Sequence, residues 1–171
     1  PRGMIINITA IGQASKEDLV YRNGAKKGDI ICVTGDLGAA YLGLQILERE
    51  KQIYLEHPGV QPQLEQSQYL IERQLKPEAQ RGAISYFKKV GIKPTAMIDV
   101  SDGLASEILH ICNQSGTGAY IEESKVPIHP DAEKTAIDFR LDPITCALHG
   151  GEDYELLFTI DEKDLDKIRY M

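Results

Sequence analysis

The chain has 171 residues, of which 42% are hydrophobic and 26% charged, the ordinary usage of a globular domain. Its formal net charge of −7 argues against a nucleic-acid partner, because neutralising phosphates requires clustered Lys and Arg. No apolar run approaches the roughly 18 residues that a membrane span needs, so no membrane partner is expected.

The three cysteines, Cys32, Cys112 and Cys146, are far apart in sequence and each has apolar neighbours. An odd number at such spacing is typical of reduced core cysteines, and it fits neither a disulfide framework nor a zinc site. Reduced cysteines are usual in the cytoplasm, which we expect to be the compartment of this protein.

Both ends predict a piece of a longer protein. The chain starts at Pro1 rather than at Met, and it stops at Met171 inside a helix that is predicted to begin at Asp161. Apolar and polar residues alternate over residues 4–11, which predicts a strand. We assign residues 1–15 to the end of a truncated N-terminal domain, and residues 16–171 to a C-terminal α/β domain that is itself truncated.

Strand-like and helical patterns alternate along residues 16–171. Strands are predicted at residues 30–33, 96–100, 119–122 and 154–160. Helices are predicted at about residues 36–49, 64–75, 78–90, 101–114, 131–139 and 142–150, with another beginning at residue 161. Asp36 is expected to cap the first of these helices. Strands separated by helices predict an α/β fold, a three-layer sandwich with a mixed sheet flanked by helices.

The first candidate site is the octet MIDVSDGL, which starts at Met97. Asp99 falls at the carboxyl end of a predicted strand, while Ser101 and Asp102 open the next helix, and ligands of α/β sheets bind at such ends. Two carboxylates there would repel a phosphate unless a divalent cation lay between them, and Asp oxygens suit magnesium. Ser101 could then donate to a phosphate oxygen.

A second interpretation of the octet is purely structural. Ser or Asp before an apolar stripe is a common helix cap, and an Asp in a first turn stabilises a helix without any ligand. The octet alone does not decide between capping and metal–phosphate binding.

The second candidate site is HGGEDYEL, which starts at His149. Paired glycines are followed by three acids around a Tyr at a strand entrance. Because side chains alternate along a strand, Tyr154 is expected to face one way, and Asp153 and Glu155 the other. An ordinary turn explains the glycines and one acid, but it explains the remaining residues poorly.

A basic turn, RNGAKKGD, precedes the strand at residues 30–33. The forked donors of Arg22 suit a nucleotide phosphate, although a solvated surface turn is the simpler interpretation. The four histidines show no metal-ligand spacing, and no GxSxG or nucleophilic Cys motif indicates acyl transfer.

Taken in order, RNGAKKGDIICVTGDLGAA, AMIDVSDGLASEILHI and HGGEDYELLFTI closely resemble the later portion of thiamine-monophosphate kinases. These enzymes share a superfamily with aminoimidazole ribonucleotide synthetase, selenophosphate synthetase and a hydrogenase-maturation protein. The resemblance implies the fold of that superfamily's C-terminal domain. It also implies a transferase of thiamine diphosphate biosynthesis that moves the γ-phosphoryl of ATP directly onto thiamine monophosphate, with magnesium as cofactor.

The resemblance also implies residue roles. Asp99 and Asp102 correspond to magnesium ligands and catalytic residues, and Arg22 and Ser101 to ATP contacts. Glu152 corresponds to a contact with thiamine monophosphate, as do its neighbours Asp153 and Tyr154. The family's N-terminal domain, with an Asp-Thr-Thr motif and the homodimer surface, is expected before Pro1, so the chain is expected to be inactive alone.

Two other functions stay open. The chain could belong to another ATP-dependent enzyme of the same superfamily. It could also be a non-catalytic acidic domain for assembly or ligand binding.

Overall fold

The computed structural model describes residues 3–168. Its strands are β1 (Ile30–Val33), β2 (Ala96–Asp99) and β3 (Leu156–Ile160). Its α-helices are α1 (Ala39–Glu56), α2 (Gln68–Leu75), α3 (Arg81–Val90), α4 (Leu104–Ser115), α5 (Pro130–Asp138), α6 (Pro143–His149) and α7 (Leu165–Ile168). Single turns of 3₁₀-helix lie at Lys16–Asp18, Glu65–Ser67, Glu123–Lys125 and Glu162–Asp164.

The three strands form one sheet in the order β1-β3-β2, with β3 antiparallel to both neighbours. Ile30 pairs with Ile160 at one end of the first ladder, and Asp99 pairs with Leu156 at one end of the second. The predicted α/β class is confirmed. The expected mixed sheet is wrong for residues 3–168, because β3 inserts between β1 and β2 and separates the two strands that run in the same direction.

Alternation along β3 builds the layers. Leu157 packs with α4 residues on one face, while Phe158 and Ile160 pack with α3 on the other. Phe158 meets the ring of Phe87 edge-on, with the centroids 4.9 Å apart. The order α3, sheet, α4 is the expected three-layer sandwich.

A second group of helices packs beside this sandwich. Leu42 and Ile46 of α1 contact Leu70 of α2, together with residues of α5 and α6. This cluster fixes the amino terminus of α1, which borders the candidate site.

Two predicted strands are absent from the described part of the chain. Residues 4–11 form no strand, and the side chains of Ile8 and Ile11 are 89% and 95% exposed. Residues 119–122 form none either, and Tyr120 is 83% exposed. In both cases the alternating pattern finds no neighbouring strand, and a ladder needs one. The assignment of residues 1–15 to a preceding domain stays a prediction.

All three cysteines are free thiols. Burial raises the pKa of the Cys32 thiol to about 11, so this thiol is neutral near pH 7. Within residues 3–168, every helix is too short or too polar to cross a bilayer.

Candidate functional site

The two acidic motifs are joined through their backbones. Beyond the last strand pair, the N–H of Val100 donates to the carbonyl of Glu155, and that of Tyr154 to the carbonyl of Val100, each at 2.8 Å. The N–H of Glu152 donates to the carbonyl of Ser101, also at 2.8 Å. The β2–β3 ladder therefore continues into the turns, and it places Glu152 beside the Ser101–Asp102 segment.

Two glycines permit this close approach. A Cβ on Gly151 would lie 2.5 Å from the carbonyl oxygen of Ser101, and one on Gly103 would lie 2.6 Å from that of Leu148. Both residues also have positive φ, +69° and +108° respectively. Only glycine fits such positions without strain, so the glycines of both motifs hold the two loops in contact.

The start of α4 decides against the capping interpretation of the octet. The helix begins at Leu104 with Gly103 as its N-cap, and no side chain of residues 3–168 caps it. Asp99 and Asp102 are exposed, and neither carboxylate makes a hydrogen bond or ion pair to any residue in the 3–168 range. Capping by Ser101 or Asp102 is therefore wrong, and both Asp side chains are available to a ligand.

The sequence reasoning missed Glu107. This residue of α4 is only 2% exposed, and its Oε1 accepts from the N–H of Asp102 at 3.2 Å and from the hydroxyl of Ser101 at 3.5 Å. Its Oε2 is buried without a hydrogen-bond partner among the described residues. The available signal was its place inside the apolar stripe of α4, three residues after Leu104, where a solvated acid is not expected.

Glu152 and Tyr154 are exposed and have unusual backbone conformations. Their φ angles are +62° and +51°, in the left-handed region that side chains disfavour. The hydroxyl of Tyr154 donates to Oε2 of Glu152 at 3.0 Å. This bond and the charge of Glu152 raise the pKa of Tyr154, and the nearby charges of Asp99 and Asp102 raise it further. All three acids thus lie within electrostatic range of one phenol.

The side chain of Asp153 points into the protein, opposite to the exposed side chains of Glu152 and Tyr154. It is 1% exposed, and its two carboxylate oxygens accept from the N–H groups of Gly38 at 2.8 Å and Ala40 at 3.2 Å. It therefore caps α1, the role expected of Asp36, and its predicted contact with substrate is corrected. Burial raises its pKa to about 6, despite the two N–H donors and nearby Arg73, which favour the charged form.

Glu155 lies on the same side as Asp153, as the alternation predicted, and that side faces inward, where Glu155 joins a buried polar network. Nη1 of Arg73 lies 2.8 Å from Oε1 of Glu155, and Nη2 of Arg73 lies 3.9 Å from Oδ1 of Asp153. The same guanidinium donates to the carbonyl of Asp36 at 3.1 Å, and the Thr34 hydroxyl donates to Glu155. The Arg73 guanidinium of α2 therefore links the residues that follow β1 to those that precede β3.

Arg22 is not joined to the other predicted site residues by a contact. It is exposed, and across residues 3–168 its side chain has no hydrogen-bond or ion-pair partner. The preceding residue, Tyr21, accepts from the N–H of Met97 at 2.9 Å, so this segment runs beside β2. The role of Arg22 in ATP binding stays a prediction.

No three His, Cys, Asp or Glu side chains of the described chain form a group that could hold a metal ion. A magnesium ion here would need ligands from elsewhere besides Asp99 and Asp102. Phosphate oxygens of a nucleotide commonly supply them, since protein magnesium sites typically use one or two carboxylates together with substrate phosphates.

The chain is similar to known proteins in sequence and in fold. The thiamine-monophosphate kinase of Buchnera aphidicola subsp. Acyrthosiphon pisum is 36% identical over 96% of this chain and 47% of its own length. AaThiL complexed with AMPPCP and TMP matches 84% of this chain and 43% of its own, with 34% identity and a TM-score of 0.68. Thiamine-monophosphate kinase from Stenotrophomonas maltophilia K279a matches 93% of this chain and 48% of its own, with 29% identity and a TM-score of 0.76.

The chain thus spans about half the length of the relatives it matches. The family described as "AIR synthase related protein, C-terminal domain" matches residues 26–168, which include β1, β2, β3 and both acidic motifs. The chain belongs to this family.

Proposed function

We propose that this chain supplies part of the site of a thiamine-monophosphate kinase, which transfers the γ-phosphoryl group of ATP to thiamine monophosphate and yields thiamine diphosphate and ADP. The observation that carries the proposal is a pair of exposed carboxylates, Asp99 and Asp102, which lie beside the Glu152 turn and have no hydrogen-bond or ion-pair partner in the described part of the chain. The similarity to thiamine-monophosphate kinases, and to AaThiL complexed with AMPPCP and TMP, supports the choice of substrates.

Magnesium fits the residues that are present. Asp99 and Asp102 offer hard oxygen ligands, and no cation of the described chain neutralises them. They would hold the ion against the nucleotide phosphates. When bound, magnesium neutralises charge on the phosphate oxygens.

The protein groups have positioning roles in this scheme. Ser101 and Arg22 are proposed to bind ATP phosphates, by hydroxyl and by guanidinium respectively. Glu152, with Tyr154 bonded to it, is proposed to bind thiamine monophosphate. A phosphate oxygen of thiamine monophosphate then forms a bond to the γ-phosphorus, and the bond from that phosphorus to the β-phosphate bridging oxygen breaks. Phosphoryl transfer depends mainly on such positioning and charge neutralisation.

The rest of the site is proposed to come from sequence beyond these 171 residues, since the matched relatives are about twice as long. An acidic Asp-Thr-Thr segment preceding Pro1, a homodimer of the longer protein and a cytoplasmic location belong to the same proposal. The 171-residue chain by itself is then expected to show no turnover at rates typical of kinases.

The test uses the natural protein that contains this sequence. It is incubated with ATP, magnesium and thiamine monophosphate, and thiamine diphosphate is quantified by chromatography. We expect Asp99→Asn and Asp102→Asn each to reduce kcat at least about 100-fold, because charge neutralisation by a metal contributes several kcal/mol. Asp138→Asn is the matched control: it removes one exposed carboxylate of α5 that has no partner among the residues described, and it should leave kcat unchanged.

The outcomes separate the rival functions. Hydrolysis of ATP without thiamine diphosphate formation would instead support another ATP-dependent enzyme of the superfamily. Unchanged activity in both Asp variants would support a non-catalytic role for this acidic surface.

A further inference from the structure

The peptide unit that joins Ser101 to Asp102, within the octet, is hydrogen-bonded at both its carbonyl and its N–H. Its carbonyl, from Ser101, accepts from the N–H of Glu152 at 2.8 Å. Its N–H, from Asp102, donates to the carboxylate of Glu107 at 3.2 Å. This single peptide therefore couples the Glu152 turn to the first turns of α4.

The position of Asp102 depends on this peptide. The Asp102 side chain has no partner within the described residues, so only its backbone determines where the carboxylate lies. The next residue, Gly103, has a φ of +108° and no side chain to restrict rotation. Without a fixed acceptor for the Asp102 N–H, the peptide would be free to rotate.

Glu107 is suited to be that acceptor. It is buried beneath the loop, and its Oε1 also lies within 3.5 Å of the Ser101 hydroxyl. Its negative charge lies near the amino terminus of α4, where the helix dipole favours an anion. Its Oε2 has no hydrogen-bond partner among residues 3–168, so no other described contact accounts for burying this acid.

We infer that Glu107 is a positioning residue: it orients the Asp102 backbone, and with it the Asp102 carboxylate, for the metal–nucleotide complex without touching that complex. The inference rests on the proposed function. Groups that orient metal ligands typically change metal affinity or activity 10- to 100-fold when they are removed.

The test compares variants of Glu107 in the natural protein. Glu107→Gln keeps an oxygen that can accept from the Asp102 N–H. Glu107→Met has similar size and no such acceptor, and Glu107→Asp keeps the charge but shortens the reach by one methylene. Glu133→Gln on α5 serves as the control for an exposed acid.

We expect Glu107→Met and Glu107→Asp to raise the magnesium concentration for half-maximal kinase activity about tenfold or more. The Asp102 amide should also exchange with solvent faster in these variants, while Glu107→Gln and Glu133→Gln stay within about threefold of wild type. If Glu107→Met does not fold, as judged by circular dichroism, Glu107→Asp carries the test. Unchanged magnesium dependence and amide exchange in the folded Met or Asp variant would overturn the inference.

The two proposals can fail separately. If the wild-type protein makes no thiamine diphosphate, the proposed function fails. The inference is then judged by amide exchange and by calorimetric affinity for Mg-ATP. It is upheld if that affinity drops about tenfold in Glu107→Met or Glu107→Asp, and it is overturned if the affinity stays the same.

Discussion

The backbone N–H of Glu152 donates to the carbonyl oxygen of Ser101 at 2.8 Å. The bond joins two motifs that are distant in sequence, because β2 and β3 are adjacent and antiparallel, so β3 begins at the edge of the sheet where β2 ends. Two exposed aspartates of one motif and the exposed glutamate of the other thus lie around one short stretch of paired backbone.

Gly151→Ala should separate the two motifs. The new methyl group would meet the Ser101 carbonyl, and φ of +69° is unfavourable for alanine. We expect a loss of about 2–4 kcal/mol in the free energy of unfolding, measured by urea denaturation. Gly82→Ala in α3 is the control: its methyl group would meet open space, and the change should stabilise the helix by about 0.5–1 kcal/mol. Equal stability of the two variants would contradict the close approach at Gly151.

Local sequence signals were sufficient for much of this arrangement. The β-branched run of β1 predicted its bounds, and Gly91 ends α3 with the positive φ that glycine favours. The alternation around Tyr154 predicted that Asp153 and Glu155 share one side and that Tyr154 faces the other. Asp99 at the carboxyl end of β2 followed from the strand-to-helix change in pattern.

Contacts between distant segments were beyond such signals. Asp153 caps α1 from more than a hundred residues away along the chain, so nothing near Asp36 could reveal that a distant acid takes the capping role expected of Asp36. The exposed segments at residues 4–11 and 119–122 have strand-like patterns, but pairing requires a partner strand that the pattern does not specify. Burial of Glu107 depends likewise on how the octet loop folds over α4.

Asp153 should make stability depend on pH. Its pKa is raised to about 6 in the folded chain and is near 3.9 when unfolded, so folding takes up a proton between these values. The contribution of Asp153 to the free energy of unfolding is therefore fully present below about pH 4 and is lost as the pH rises through about 6. This contribution is at most about 3 kcal/mol.

Asp153→Asn cannot titrate, and one of its two acceptor oxygens is replaced by a donor. Near pH 4 the wild-type carboxyl is protonated and, like the Asn amide, keeps one acceptor oxygen, so the two proteins should have similar stability. At pH 7 wild type holds a buried charge that the variant lacks, so Asp153→Asn should be more stable than wild type by up to about 3 kcal/mol. Urea denaturation of both proteins across this range measures the difference. A constant difference from pH 4 to 7 would show that Asp153 has an ordinary pKa.

Arg73→Met should destabilise the chain strongly. It removes the cation that lies 2.8 Å from Glu155 and 3.9 Å from Asp153, which leaves two buried carboxylates without a positive partner. Breaking a buried pair in this way costs about 3–5 kcal/mol, a large share of a typical domain's stability. Lys51→Met is the control, since Lys51 pairs with Glu48 on the exposed surface of α1, where a pair contributes at most about 1 kcal/mol. Similar melting temperatures for the two variants would show that the buried network does not stabilise the fold.

Glu152→Gly should improve stability and impair substrate binding. Glu152 has a φ of +62°, and relief of this strain, about 1–2 kcal/mol, exceeds the extra backbone entropy of glycine, about 0.5–1 kcal/mol. Arg140→Gly is the matched control, because Arg140 has a φ of +59° outside the site. Both variants should gain about 0.5–1 kcal/mol in urea denaturation.

The two variants should differ in kinetics. A hydrogen bond to a charged group contributes about 1.5–3 kcal/mol. Loss of the Glu152 carboxylate in Glu152→Gly should therefore raise the KM for thiamine monophosphate about 10- to 100-fold. Arg140→Gly should keep the wild-type KM. A stability gain in Arg140→Gly alone would mean that the left-handed backbone at Glu152 stores no strain. A stability gain in both with unchanged KM would mean that Glu152 does not bind the substrate, and that its unusual backbone serves only the close packing of the two motifs.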